Sequence, residues 1–252
     1  MNVLGVDIGG SGIKGALVDP QRGQLISERH RIPTPESLMP EEVLAAVLEL
    51  AGEFDDFDGP IGIGFPAVVV DGTPRTPFTA HHIKEWVGFP VAHYLRERLD
   101  RPVTMLNDAD AAGIAEMRFG RGRGEQGVVI ILTLGTGIGS AVFTGGHLVP
   151  NTEFGKLRLP GHKERGELYA AGDVRKRDNL DWETYTARLD EYLRYLDTLF
   201  SPRLFIIGGG ISKDHERFVP LLTVETRVEP AGLRNQAGII GAAIAAAEGW
   251  NN

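Results

Sequence analysis

The chain has 252 residues, 42% of them hydrophobic, no cysteine and a formal net charge of -8. That length suits two lobes or one large α/β unit, and the lack of cysteine excludes disulfides, thiolate zinc sites and a cysteine nucleophile. No stretch approaches the roughly 18 consecutive apolar residues of a membrane span and the N-terminus runs straight into a strand pattern, so a cytoplasmic chain with neither membrane nor nucleic-acid partner is expected.

The first element is a strand from Val3, ending in the glycine-rich run DIGGSGIKG (Asp7 to Gly15) and returning through Ala16 to Val18. Glycine permits positive φ and close backbone approach, and consecutive N–H groups in such a turn form an anion-binding concavity. Asp7, Ser11 and Lys14 are placed to manage a metal ion, a phosphate oxygen and a negative charge; an ordinary glycine hairpin is the plainer reading. Gln24 to Ile32 reads as a third strand, Pro40 to Phe54 as a helix with one apolar face, and Ile61 to Phe65 as a buried strand. Ala67 to Val70 reads as another strand, and Thr73 to Gly88, holding His81, His82 and Trp86, as a long loop of the kind that often carries function. Val91 to Leu99 is expected helical, Pro102 to Leu106 a strand and Ala109 to Phe119 a helix, with Asn107 and Asp108 at the corner between them. Gly120 to Gly124 reads as a flexible connection and a first candidate boundary.

The opening pattern then recurs. Gly127 to Leu134 is a strand, Gly135-Thr136-Gly137 a turn and Ile138 to Phe143 a return strand, so the chain reads as two related halves. Trp182 to Phe200 is amphipathic, with Tyr185, Leu189, Tyr192, Leu193, Leu196 and Leu199 on one face. Leu204 to Ile207 is a buried strand ending in Gly208-Gly209-Gly210-Ile211-Ser212; Asp214 to Leu222 and Ala237 to Glu248 are expected to be helical. Charge is uneven: Glu36 to Asp58 carries eight acids and no Lys or Arg, whereas Lys156 to Asp178 carries seven Lys or Arg against four acids. Such a basic strip can draw in a polyanion, and is more commonly a solvated face.

Three glycine turns at strand ends point to a phosphate-bearing ligand. Neither a GxxxxGK[ST] loop nor a GxGxxG opening a helix is present, so neither of those nucleotide folds is supported. Phosphoryl transfer needs positioned groups, spread charge and an acceptor for the nucleophile's proton. Asp108 is the best base, at a strand end before a helix where backbone N–H groups favour a fixed carboxylate. Helix capping is the commonest job of an acid there, and the two roles can coexist; Asn107 takes the cap or binds substrate. Glu153 in Asn151-Thr152-Glu153-Phe154-Gly155 suits a hydroxyl-rich ligand, or is a loop acid.

In their order, DIGGSGIKG, LNDADAAG (Leu106 to Gly113), LTLGTGIGSAVFTGG (Leu132 to Gly146), PNTEFG (Pro150 to Gly155), LFIIGGGISK (Leu204 to Lys213) and LRNQAGIIGAA (Leu233 to Ala243) resemble the motifs of the ROK sugar kinases. The likeness covers nearly the whole chain and is greatest to the branch of polyphosphate glucokinases. It implies an α/β, two-lobed actin-like fold with a catalytic cleft: residues 1–110 joined by a last helix at about 235–252, and residues 111–234. It also implies a kinase acting on the 6-hydroxyl of glucose or a related hexose, with Asp108 as base and Asn107, Asp108, Glu153 and Glu167 holding the sugar. Gly9, Gly10, Ser11, Gly12 and Lys14, with Gly135, Thr136 and Gly137, would embrace the donor, polyphosphate or ATP or both, together with Mg²⁺, which Asp7 would serve indirectly. Gly208, Gly209, Gly210 and Ser212 match the segment near the nucleotide or its polyphosphate equivalent, and Arg175, Lys176 and Arg177 resemble the family's basic stretch. A homodimer is the family-like assembly.

Two departures fall on the sugar side. Lys156 stands where relatives usually carry histidine, and Ala80-His81-His82 stands where they usually carry a sugar-binding asparagine. A lysine only donates and brings a charge, so either sugar affinity is weakened or His81, His82 and Lys156 would read a different, anionic acceptor; a kinase of another hexose or an amino sugar, and a chain that binds ligand without turnover, are the further readings. The family's cysteine zinc cluster is missing, as in the polyphosphate branch, and no zinc is expected.

Overall fold

The structure is a computed structural model that describes residues 1–54, 57–78 and 83–250. Two compact units are present, Met1–Ala115 with Gln236–Asn252, and Glu116–Asn235.

The first unit contains β1 (Val3–Gly9), β2 (Gly12–Asp19), β3 (Gln24–Leu25), β4 (His30–Ile32), α1 (Pro40–Gly52), β5 (Ile61–Phe65), β6 (Val69–Val70), β7 (Thr73–Pro74), α2 (Val91–Leu99), β8 (Val103–Asn107) and the start of α3 (Asp108–Phe119). Its main sheet has the order β3-β2-β1-β5-β8, with β4 also paired to β2. β1 and β2 form an antiparallel hairpin, while β1, β5 and β8 run parallel. The apolar residues of β1 and β5 are buried almost completely, which is why both strands read as apolar runs rather than alternating patterns.

The expected strand Gln24 to Ile32 is broken. Ser27 Oγ accepts the Leu17 N–H at 2.9 Å and itself donates to the Glu28 carbonyl at 2.9 Å, so a side chain occupies a slot in the ladder and the backbone detours. The strand expected at Ala67 to Val70 is only β6, closed onto β7 by a tight turn. Within the expected loop a 3₁₀ turn at Lys84–Trp86 buries Trp86, whose Nε1 donates to the Leu38 carbonyl at 2.8 Å. His81 lies outside the described residues.

The second unit contains the end of α3, then β9 (Val128–Leu134), β10 (Ile138–Thr144), β11 (His147–Val149), α4 (Gly166–Ala170), α5 (Val174–Arg177), α6 (Trp182–Phe200), β12 (Leu204–Gly208) and β13 (Arg227–Pro230). The sheet order is β11-β10-β9-β12-β13. An antiparallel hairpin again leads into parallel strands, so the recurrence visible in the sequence is a recurrence of topology. α6 has the expected bounds: Asp181 caps it by accepting the Thr184 N–H at 2.8 Å, and Ser201 ends it in the left-handed conformation at φ 44°. The helix expected from Asp214 to Leu222 is instead two 3₁₀ segments, Gly210–Arg217 and Val219–Leu221, because Asp214 leaves helical geometry and Pro220 has no N–H to donate.

The last helix, α7 (Ala237–Ala247), belongs to the first unit and packs on β1, β5 and β8. Glycine makes that contact possible: a Cβ on Gly5 would run into the Ile239 carbonyl, one on Gly62 into the Ala242 carbonyl, and one on Gly241 into the Ala111 carbonyl. Where the chain enters the second unit, the buried Glu116 carboxylate accepts N–H groups from Arg121 at 3.0 Å, Gly232 at 3.1 Å and Leu233 at 2.7 Å. Among the described residues no helix is long and apolar enough to cross a membrane.

Candidate active site

In the first unit the sequence-derived residues gather at the carboxyl ends of parallel strands, the edge where open α/β sheets bind ligands. Asp7 is in register with Gly64, and Gly64 with Leu106, which places the ends of β1 and β8 two strand spacings apart, about 10 Å. Asp7 pairs with Lys14 on the facing strand, Nζ to Oδ2 3.3 Å, with side chains 21% and 30% exposed. Both remain accessible.

Gly9 and Gly12 pair directly, leaving Gly10 and Ser11 exposed at the tip. Two residues that sequence reasoning missed bracket this hairpin. Thr34 Oγ1 donates to the Gly9 carbonyl at 2.6 Å, and Arg31 Nη2 donates to the Ser11 carbonyl at 2.8 Å. Both carbonyls would repel an anion, and each is engaged by a donor. No local pattern marks Arg31: it reaches the hairpin because β4 pairs back onto β2, with Lys14 as its register partner.

Asn107 ends β8 and caps α3. Its Oδ1 accepts the N–H groups of Ala109 at 2.9 Å and Asp110 at 3.1 Å, while Nδ2 donates to the Ala67 carbonyl at 3.1 Å. Of the two roles left open for Asn107, the geometry assigns the cap, and a sugar would meet only its second Nδ2 hydrogen. Asp108, the first residue of α3, is half-buried, and its Oδ1 accepts the Ala109 N–H at 2.8 Å. A carboxylate there is held by the helix N-terminus without being needed as its cap.

In the second unit, two glycine turns meet. Gly208 is in register with Thr133, and Gly209, at φ 80°, passes so close to the Leu134 backbone that a Cβ would clash with it. Gly172 abuts the Leu134 carbonyl from another direction, at 2.8 Å from where its Cβ would stand. Asp173, which sequence reasoning also missed, donates its N–H to the Gly135 carbonyl at 3.0 Å and accepts from Thr136 Oγ1 at 3.1 Å. Ser212 turns inward, its hydroxyl donating to the Gly209 carbonyl at 2.8 Å, so it shapes the turn.

Glu167 stands beside the same region, since a Cβ on Gly137 would lie 3.1 Å from its Oε2. Its other oxygen faces Arg165 at 3.6 Å. Glu153 pairs with Lys156, Nζ to Oε2 3.1 Å, so the lysine's charge is turned onto the carboxylate. The segment carrying them is pinned by buried Ser140, whose Oγ donates to the Thr152 carbonyl at 2.8 Å and accepts the Phe154 N–H at 3.0 Å. Two members of the basic strip are partly occupied: Arg175 lies over Trp182 and donates to the Leu180 carbonyl, and Arg177 binds Asp178. Lys176 is exposed.

Comparison with known proteins gives these residues a context. The ROK family pattern matches residues 3–164, more than half of the chain. Polyphosphate glucokinase of Mycobacterium tuberculosis is 43% identical over 243 residues, covering 96% of this chain and 90% of that one. The crystal structure of inorganic polyphosphate/ATP-glucomannokinase from Arthrobacter sp. strain KM superimposes with a TM-score of 0.92 at 44% identity, covering 99% of each chain. A ROK family glucokinase from Streptomyces griseus, solved with glucose and AMPPNP, matches with a TM-score of 0.81 at 27% identity over 98% of this chain and all of that one. The α/β actin-like fold expected from the motifs is therefore the fold present. The chain belongs to the ROK family.

Proposed function

We propose that this chain is a sugar kinase that transfers a phosphoryl group from inorganic polyphosphate or ATP to the 6-hydroxyl of glucose or a related hexose. The likeness at 44% identity across 99% of a polyphosphate/ATP-glucomannokinase carries the reading. In the reaction the Asp108 carboxylate takes the proton of the attacking hydroxyl, the new bond forms from that oxygen to phosphorus, and the bond to the donor's remaining phosphate breaks. ADP, or polyphosphate one unit shorter, leaves. Asn107, Glu153, Glu167, Lys156 and His81 orient the sugar. The turns at Gly9 to Gly12, Gly135 to Gly137 and Gly208 to Gly210 receive the donor through backbone N–H groups.

Mg²⁺ fits this set of residues. Among the described residues there is no cluster of three acids or histidines for a protein-built cage, and a kinase magnesium ion takes one or two carboxylates, waters and the donor's own phosphates. Asp7, partly exposed at the end of β1, is the carboxylate that would hold it through water, and the ion would neutralise donor phosphate charge.

The Glu153 and Lys156 pair favours a second reading in which the acceptor is another hexose or an amino sugar, because the lysine donates where a histidine could also accept. A family-like homodimer in the cytoplasm, where both donors are found, completes the proposal. One experiment separates the readings: purified protein is assayed against a sugar panel with each donor. Hexose 6-phosphate is expected, and Asp108→Asn should lose at least about 10²-fold in kcat. Full activity of that variant would overturn the base, and binding without turnover for every pair would leave a silent sugar-binding protein.

A further inference from the structure

The hairpin at Gly9 to Gly12 holds a cation that its motif does not reveal. Arg31, on β4, lays its guanidinium across Gly12: a Cβ there would stand 2.5 Å from Nε and 2.9 Å from Nη2. Glycine at this position is what lets the guanidinium lie on the turn. Nη2 donates to the Ser11 carbonyl at 2.8 Å, which fixes the plane of the group beside the exposed tip. A guanidinium has five N–H donors in a rigid fork, and one such bond leaves most of them for another acceptor.

Charge around the hairpin isolates this cation. Lys14 is paired with Asp7, so that pair is neutral, and among the described residues no carboxylate lies within ion-pair distance of Arg31. The chain as a whole carries -8. A polyanionic donor approaching an acidic protein needs local positive potential where it docks, and a planar fork at the rim of a backbone N–H turn is suited to bidentate phosphate recognition.

We propose that Arg31 is a donor-binding residue of the kinase, its guanidinium contacting a phosphate of the polyphosphate or nucleotide held at the Gly9 to Gly12 hairpin. The proposal rests on the kinase reading given above. It assigns to one side chain a share of donor affinity that the glycine motif does not supply, and it makes that share electrostatic.

The test is steady-state kinetics of the purified chain with polyphosphate and with ATP, for the parent, Arg31→Ala and Arg31→Lys, at two salt concentrations. Arg31→Ala should raise the donor KM about tenfold or more, as expected for loss of a charge-assisted hydrogen bond, with the sugar KM within about twofold of the parent. Arg31→Lys should recover part of the loss, since it keeps the charge and loses the fork. The parent's donor KM should rise with salt more steeply than that of Arg31→Ala. Arg31 only bracing the hairpin would instead raise both KM values together, lower the melting temperature and leave the salt dependence unchanged, and that result would overturn the proposal. An unchanged donor KM in an active Arg31→Ala enzyme would do so too. Failure of the parent to phosphorylate any hexose would instead remove the kinase reading itself.

Discussion

Replacing Asn107 by aspartate preserves the helix cap and, at neutral pH, removes both amide hydrogens. Asn107 is 7% exposed, and its Oδ1 serves two N–H groups of α3, a role aspartate performs equally well. Its Nδ2 bond to the Ala67 carbonyl, 3.1 Å long, becomes an oxygen facing an oxygen. Leaving that carbonyl unserved costs about 1 to 3 kcal/mol at pH 7, or roughly 2 to 12 °C in melting temperature for a chain of this size. The neutral acid can donate to Ala67 where the carboxylate cannot, so the folded state favours the protonated form and raises this residue's pKa above its unfolded value. The stabilising contribution of that proton is fully present below the unfolded pKa of about 3.9 and is lost as pH rises through the folded one. Melting curves of Asn107→Asp and parent should therefore converge toward pH 4 and separate toward pH 7. Kinetics give an independent readout: a second carboxylate next to Asp108 disfavours ionisation of the base, so the acid limb of the pH profile moves upward. Equal melting temperatures at pH 7 would refute the assignment of Nδ2 to Ala67.

Three further outcomes follow from particular contacts. Ser140→Ala strips the Phe154 N–H of its partner and should cost about 1 to 3 kcal/mol, with faster amide exchange at Phe154 and a higher sugar KM because Glu153 lies between the two anchored residues; unchanged exchange would count against the anchor. Gly62→Ala drives a methyl into the Ala242 carbonyl, and a loss of about 3 kcal/mol or more is expected, so a melting temperature equal to the parent's would contradict the packing of α7. The Arg177 and Arg188 guanidinium groups hydrogen-bond to Asp178 and lower its pKa from the usual 3.8 to about 2. The contribution of these pairs is present above the ordinary value and disappears as pH falls through about 2. A carboxyl NMR titration with its midpoint near 3.8 would contradict these hydrogen bonds.

The elements that could be read from the sequence were those in which local preference and burial agree. α6 carried a long apolar face at helical spacing, and both bounds followed. Even there Leu199, on the same face by spacing, is half exposed because the last turn runs past the core. β13 escaped notice because it is an edge strand whose Arg227 and Glu229 alternate with apolar residues too sparsely to signal a strand. The glycine turns were legible because close backbone approach calls for glycine, and the strand-to-helix corner at Asp108 because an acid is at home at a helix start. Arg31, Asp173 and Ser140 were hidden for one shared reason. Each is placed by a hydrogen-bond partner 12 to 37 positions away, and no local pattern records that partner.

The Glu116 carboxylate also says something about how this chain is put together. By accepting Arg121 near the start of the second unit and Gly232 and Leu233 near its finish, one side chain staples the two ends of a continuous segment. In the order of the gene the second unit is thus an insertion into a host made of residues 1–115 and 236–252. Insertions with joined ends tolerate rewiring, because the closure is internal to the inserted piece. Opening the second unit at its exposed Gly145-Gly146 turn is accordingly expected to leave that closure intact.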